Sequence, residues 1–596
     1  MKIKELKMAL KSRNIDYFLL PNCDEFFSEY LPENKKNIQY LTGFTGSNAF
    51  IIFSSAKSYF FTDGRYTLQA RQQLDLEEFE IINIADISVL SWLKDNASNA
   101  FIAFDAKLHN LKFIAALKKI SANLVILDKN PIDEISKNNF CETKSKVFFL
   151  DEKISGESSA SKINKLLENL ESDAMIITKP ENLCWLLNIR AADIEFNPLI
   201  LTYAILFKDG KIDLLLDKDR LNQEKGSDPF FEEKGSEKGS DPFFEKVDKG
   251  FFNLIQENCF DLRISFLKKQ IKKIQIDETT TNYWLYQLLQ KNDFEIVFKS
   301  DPIENLKSIK NKVEIKGAIS SHKEDGAAVT KFLFWLEKSL ENGEEIDEIK
   351  AEEKLLEFRK NNQNFLYPSF ASISGFASNG AVIHYKANKK TNKKFTKNSL
   401  YLIDSGGQYC GNFIGTTDIT RTIAIGNPAP EMIENFTRVL KGHIAIARAK
   451  FPINTTGAQL DSLARFHLWQ KGLDYQHGTG HGVGSFLSVH EGPCGISKRN
   501  NAELKEGMIL SNEPGFYKEG EYGIRIENLM LVEKFNEDFL CFKTLTLAPI
   551  DLSLIDFSML TYPEKKWLKE YHNEVLTSLK GLLSKEEIEW LDSVIN

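Results

Sequence analysis

Apolar residues fall in short runs at the start of the chain and in longer helical stripes after about position 300, and this change of period divides the sequence. Over residues 1–145, AFIIF and SYFFTDG read as buried strands and TLQARQQL as a helix, which predicts an α/β domain. A second α/β domain is predicted over 146–305. It contains SASKINKLLENLES as a helix, AMIITKP as a strand, and YAILFKDGKIDLLLD as a hairpin turning on Asp-Gly. From Asp301 the run DPIENLKSIKNKVEIKGAISSHKEDGAAVTKFLFWLEKSL carries two amphipathic helices, opening a third, α+β domain over 306–540. Residues 541–596 close the chain with LTLAPIDLSLIDFSML and two further helical stripes, a C-terminal helical extension. One segment breaks the pattern: EKGSDPFFE at Glu224 repeats at Glu237, and 224–246 is read as an inserted surface loop. A docking segment presenting Phe230, Phe231, Phe243 and Phe244 is the alternative, but long loops accept insertions at little thermodynamic cost.

Composition narrows the function classes. With 596 residues, 42% hydrophobic and 27% charged, the chain has material for several buried cores. Lys and Arg number 76 against 84 Asp and Glu, so a net charge of −8 offers no basic footprint for nucleic acid. The N-terminal MKIKELKMALKSRNIDYFLL scatters its basic residues through an amphipathic pattern without a secretory core, and no apolar run is long enough to span a membrane. Seven separated cysteines without a CxxC pair suit a reducing cytoplasm better than a disulfide framework or a zinc ribbon.

The chemistry concentrates in five short phrases of the third domain: YLIDSGGQY, GTTDITRT, HGTGHGVG, SNEPGFY and GIRIENL. They carry Asp404, Asp418, His481, Glu513 and Glu527 in that order. Four carboxylates and one imidazole make an oxygen-rich donor set, suited to two divalent ions rather than one structural zinc. Asp404 ends an apolar run where glycines break the strand. Alternation in DITRTIAI puts Asp418, Thr420 and Thr422 on one face and Ile419 and Ile423 on the other. Solvated carboxylates at hairpin ends are the plainer alternative for either aspartate taken alone. His481 has His477 and His490 beside it, three of the nine histidines within fourteen positions. Glu513 precedes Pro514, which favours an extended backbone. Arg525 and Glu527 share a strand face, which a surface ion pair also explains.

These phrases, together with NGAVIHY and VHEGP, resemble the aminopeptidase P (Xaa-Pro aminopeptidase) family of M24-type pita-bread metallopeptidases. The similarity reaches beyond the catalytic region. YLTGFTGSNAF and FTDGRYTLQA resemble that family's creatinase-like N-terminal domain, and WLLNIRAADIEFNPLILTYAIL its middle domain. The resemblance implies an α/β fold of two creatinase-like domains followed by a pita-bread catalytic domain with a helical extension. It implies two divalent ions, manganese by preference, with Asp418 and Glu527 bridging them, His481 and Glu513 completing one and Asp404 chelating the other. Glu513 is then the proton acceptor, His384 a proton shuttle, and His477 and His490 the pair that positions substrate. The reaction implied is release of the N-terminal residue from peptides with proline second, by a cytoplasmic homodimer joined through the C-terminal extension around Trp567, Leu568 and Trp590. Thirteen residues separate Asp404 from Asp418, more than the family's usual spacing, and GNFIGTT is expected to bulge the turn beside the site. A prolidase restricted to Xaa-Pro dipeptides, a methionine aminopeptidase and a non-catalytic pita-bread binding module are the rival readings. The long middle domain and the C-terminal WLKEYH segment argue against the first, three-domain length and the creatinase-like phrases against the second, and the complete ligand set against the last.

Overall fold

The computed structural model describes residues 2–136, 144–221 and 252–595, so the KGSDPFF duplication and Cys141 lie outside the described residues. The chain forms two compact units, one of residues 1–150 with 158–303, the other of 151–157 with 304–596.

The first unit contains two six-stranded sheets. The first sheet lines up strands Phe79–Asn83, Ser58–Thr62, Phe50–Ser54, Tyr17–Pro21, Ile102–Asp105 and Leu124–Leu127. The second lines up Phe252–Ile255, Ile212–Leu215, Ala204–Phe207, Ala174–Ile177, Lys273–Ile276 and Glu295–Phe298. Numbered within each sheet, the order is 4-3-2-1-5-6 in both. The pairings also agree: strands 1 with 2 and 2 with 3 run antiparallel, and all others parallel. The two sheets are therefore one topology used twice, with the central strands hydrophobic throughout, as sheets covered on both faces require. Residues 222–251 fall between strands 3 and 4 of the second sheet.

The second unit opens on the helix Lys312–Glu341, 30 residues long and begun by a reciprocal cap between Asn311 and Glu314. The three-stranded sheet of Ile373–Phe376, Ser399–Ser405 and Ile419–Ile425 packs with the helix Pro430–Ala447 around one large core, and the six-stranded sheet buries its two faces in smaller clusters, one shared with the helix Gly457–Trp469. The strands Ser399–Ser405 and Ile419–Ile425 pair antiparallel, and Gly407–Cys410 with Ile414–Thr416 continues the same offset to a tip at 411–413. The extra residues between Asp404 and Asp418 thus lengthen both arms of one hairpin without a shift of register, and the expected bulge beside the site is not formed. Gly317 lets the long helix touch this extension: a Cβ there would lie 2.1 Å from the Ile414 carbonyl oxygen.

A second expectation is also corrected. The apolar faces assigned to a dimer contact turn inward. Leu568 and Trp590 are 3% and 9% exposed, and Trp567 stacks on Tyr571 with ring centroids 5.3 Å apart. Both C-terminal helices, Tyr562–Leu579 and Lys585–Ile595, pack into the core cluster that also holds Leu400, Tyr401, Ile419 and Ile526 of the catalytic strands. Each buried Leu or Val contributes roughly 1.5–3 kcal/mol, so Leu568, Val575, Leu579 and Leu591 make the extension part of this unit's stability.

Candidate metal centre

The hairpin brings its two aspartates to the junction of the two three-stranded sheets, where Asp404 and Asp418 are 7% and 4% exposed. Neither is a solvated hairpin carboxylate. His481 comes from the strand Gly480–Gly482, which lies between Glu491–Ile496 and Ile509–Asn512. The glycines around His481 permit that approach, since a Cβ on Gly480 would sit 1.9 Å from the Ser511 carbonyl and one on Gly482 2.3 Å from that of Glu491. Glu513 follows the strand Ile509–Asn512 at Pro514, and Glu527 lies buried between Tyr522–Arg525 and Asn528–Lys534.

These residues converge. One ligand atom each from Asp418, His481 and Glu527 lie within 4.8 Å of one another. His481 Nε2 is 3.5 Å from Asp418 Oδ2 and 3.6 Å from Glu513 Oε1. Its Nδ1 faces the Gly482 carbonyl at 3.0 Å, an acceptor only, so Nδ1 carries a proton and Nε2 points to the carboxylates. Burial, opposed by the His481 hydrogen bond and reinforced by the charge of Asp404, pushes the Asp418 carboxyl up to about 6. Burial together with Asp418, Asp404 and Glu513 lifts Glu527 well above the usual carboxylate range. Burial disfavours a charged His481, but the Asp418 hydrogen bond and the charges of Glu513 and Asp418 raise it to about 9. Asp404 Oδ1 and Asp418 Oδ1 are buried with no hydrogen-bond donor. Crowded carboxylates, two orphaned anionic oxygens and an inward-facing imidazole nitrogen fit divalent cations held by these side chains.

Around the carboxylates runs a network the sequence reading did not assemble. Arg525 and Glu527 do not form a surface pair. The buried Arg525 guanidinium donates to Asp404 Oδ2 at 2.5 Å, Tyr517 Oη at 2.7 Å and Thr420 Oγ1 at 3.1 Å. Thr420 in turn donates to Glu527 Oε2 at 2.8 Å. His477 Nδ1 lies 2.7 Å from the Gly478 carbonyl, which leaves Nε2 to accept from Tyr517 Oη at 2.8 Å. Asp404, Arg525, Tyr517 and His477 are therefore one hydrogen-bonded line. His477 Nδ1 is also 3.9 Å from Glu513 Oε2, and the His490 ring lies 4.3 Å from that of His481, centroid to centroid. His384 is half-buried on the segment after Ala377–Ala381. That segment is tied by Glu348, which accepts from Phe376 N at 2.7 Å, Tyr385 Oη at 2.8 Å and Lys393 N at 2.9 Å. Behind His490, Glu491 is buried between Lys307 and Lys310. The signal for Arg525 was present in the alternation of GIRIEN. Tyr517 carried none beyond its place in NEPGFY.

Known proteins place the fold and the family. The model for metallopeptidase family M24 matches residues 319–534, and that for the C-terminal region of peptidase M24 matches 538–595. Creatinase/prolidase N-terminal domain models match 2–134 and 141–314. A Coprinopsis cinerea protein described as "Probable Xaa-Pro aminopeptidase P" is 37% identical over 98% of this chain and 96% of its own length. The chain belongs to the Xaa-Pro aminopeptidase family. "Xaa-Pro aminopeptidase 1" of Dictyostelium discoideum is 34% identical to this family member, over 100% of this chain and 96% of that protein. The solved structure described as an X-prolyl aminopeptidase from Caenorhabditis elegans, "a cytosolic enzyme with a di-nuclear active site", superposes with a TM-score of 0.91. It shares 33% identity and covers 100% of this chain and 99% of its own. The two N-terminal sheets of this metallopeptidase are thus creatinase-like domains, and its second unit is the M24 catalytic domain with its C-terminal region. Among the described residues no helix is long and apolar enough to cross a membrane.

Proposed function

We propose that this M24 metallopeptidase releases the N-terminal residue from peptides with proline in second position, using two divalent ions, manganese by preference. In this reading Asp418 and Glu527 bridge the ions, His481 and Glu513 complete one, and Asp404 holds the other. The observation that carries it is the convergence of the Asp418, Glu513 and Glu527 carboxylates on the inward nitrogen of His481, with oxygens of Asp404 and Asp418 left without donors. When bound, the ions supply a nucleophilic water at neutral pH and polarise the scissile carbonyl. Glu513 is the proton acceptor, standing 3.9 Å from His477. His477 is fixed in one tautomer by Gly478 and Tyr517, so it meets the substrate with a set orientation. His490 and His477 line the substrate side, and His384 carries protons from its loop. Proline removes the amide N–H that general peptidases grip, so the site must recognise the ring itself.

Substrate length separates this reading from a prolidase. Arg-Pro-Pro is expected to be cleaved to free arginine at a kcat/KM at least about tenfold above that for the dipeptide Arg-Pro, roughly 1.4 kcal/mol in the transition state. Cleavage of the dipeptide alone would identify a prolidase.

A cytoplasmic location is supported by the cytosolic relative and by widely separated cysteines without a CxxC pair. A homodimer would need a surface other than Leu568 and Trp590, which are buried. Leu463, Phe466 and Trp469 supply one, spaced three apart on the helix Gly457–Trp469 and 42%, 51% and 44% exposed. Trp469→Glu is expected to convert the dimer to a monomer in light scattering, and a variant with unchanged mass would remove this face from the interface.

A further inference from the structure

The strand Ile509–Asn512 ends at the residue before Glu513, and the strand Asn528–Lys534 begins at the residue after Glu527. The two flanking asparagines, Asn512 and Asn528, are cross-strand partners in that ladder. His443, fully buried on the helix Pro430–Ala447, clasps both. Its Nδ1 donates to the Asn512 carbonyl at 3.1 Å, and its Nε2 accepts from Asn528 Nδ2 at 3.1 Å. Asn512 Nδ2 returns a bond to the His443 carbonyl at 2.9 Å. Burial, and after it the charge of Arg421, hold His443 down to about 3, so the ring stays neutral and keeps one donor and one acceptor.

On the other side of Asn528 lies Arg421, 2% exposed on the apolar face of the strand that follows Asp418. Its donors do not go to a carboxylate. They reach the backbone carbonyls of Thr420 at 2.9 Å, Glu527 at 2.7 Å, Pro549 at 2.9 Å and Ala548 at 2.8 Å. They also reach Asn528 Oδ1 at 2.9 Å and Tyr571 Oη at 2.8 Å. Tyr571, on the C-terminal helix, donates to Ala548 O at 2.8 Å. A guanidinium satisfied by carbonyls does little to neutralise charge and much to fix geometry. Here it fixes the Glu527 backbone and the strand carrying Thr420 against the C-terminal segment.

We infer that His443, Asn512, Asn528 and Arg421 form a positioning lattice for the two glutamates, and that Tyr571 closes it from the C-terminal helix. The C-terminal region then acts on ion binding as well as on folding. This deepens the proposed function and rests on its assignment of Glu513 and Glu527 as ligands. Partners that orient metal ligands typically change affinity by about 10- to 100-fold when removed.

The test is calorimetric titration of Mn2+ into the full chain after chelation. Tyr571→Phe removes one hydroxyl and keeps the ring. Lys441→Met serves as control: Lys441, on the same helix as His443, docks the same C-terminal helix through Glu564 at 2.7 Å and touches no member of the lattice. The expected result is weaker binding of at least one ion by roughly tenfold or more in Tyr571→Phe, with Lys441→Met binding like wild type even where its melting temperature is lower. Should Tyr571→Phe not fold, Asn528→Asp carries the test, since it keeps the shape and the acceptor for Arg421 but loses the donor to His443. Wild-type affinity in Tyr571→Phe, or equal weakening in Lys441→Met, would reduce the lattice to general stability and overturn the proposal. A wild-type chain that takes up no Mn2+ would overturn the ligand assignment and this proposal with it.

Discussion

Asp418→Asn is expected to abolish peptide hydrolysis and, in the chelated chain at neutral pH, to raise the melting temperature. Both follow from one crowded site. Loss of Asp418, a bridging ligand in the proposed two-ion centre, is expected to lower kcat/KM below about one-thousandth of wild type, about 4 kcal/mol of transition-state stabilisation. Without ions the same carboxylate is a liability, because burial and then Asp404 hold it at about 6 instead of 3.8. Its ionisation at pH 7.5 therefore destabilises the metal-free fold. The sign follows from which state holds the proton more tightly. The folded chain does, so this group's contribution is favourable below 3.8 and is lost as pH rises through about 6. The neutral amide escapes that loss, so the variant should melt above wild type at pH 7.5 and gain little at pH 4. Saturating Mn2+ should reverse the order by stabilising wild type alone. Scanning calorimetry of both chains in chelator and in Mn2+ reads this directly. A chelated variant less stable than wild type at pH 7.5 would mean that the buried Asp418 carboxylate is not held at a cost in the metal-free fold.

Arg525→Leu carries the second large effect. The guanidinium is the hydrogen-bonded partner of Asp404, steadies Thr420 beneath Glu527, and donates to the tyrosine that tethers His477. Removing one member of a buried ion pair leaves the other uncompensated, typically by 3–5 kcal/mol, so the metal-free chain should lose about that much stability. In Mn2+-saturated protein, the loosened His477 and Asp404 should appear in kcat more than in KM, by roughly 100-fold. Arg525→Lys should recover part of the stability but little of kcat, since an ammonium cannot serve Asp404, Tyr517 and Thr420 in one plane. Kinetics on Arg-Pro-Pro with both variants test this. A leucine variant with wild-type kcat would remove the Asp404–Arg525–Tyr517–His477 line from the reaction.

How far the sequence could be read depended on whether a feature was local. The five proposed ligands stand in short phrases whose glycines, prolines and alternation fix nearby backbone, and the structure brings Asp418, His481 and Glu527 together with Glu513 beside them. The strands Phe50–Ser54, Ser58–Thr62 and Ala174–Ile177 and the hairpin at Asp209–Gly210 were legible for the same reason. That the two N-terminal sheets share one strand order was not, because order depends on crossovers rather than on any run of residues. The stripe holding Trp567, Leu568 and Trp590 announced a buried face but not its partner, which is the chain's own core. A count of residues between Asp404 and Asp418 gave a length without a register, so longer hairpin arms looked like a bulge. Arg421 shares the face of Ile419 and Ile423 in the sequence pattern, but its partners Pro549 and Tyr571 lie more than 120 positions away, beyond any local signal.

The most direct measurement follows free arginine released from Arg-Pro-Pro as Mn2+ is returned to the chelated chain. The account predicts negligible release without metal and recovery that levels off near about two ions per chain. Release that survives exhaustive chelation, or a chain that binds Mn2+ fully and leaves Arg-Pro-Pro intact, would contradict it.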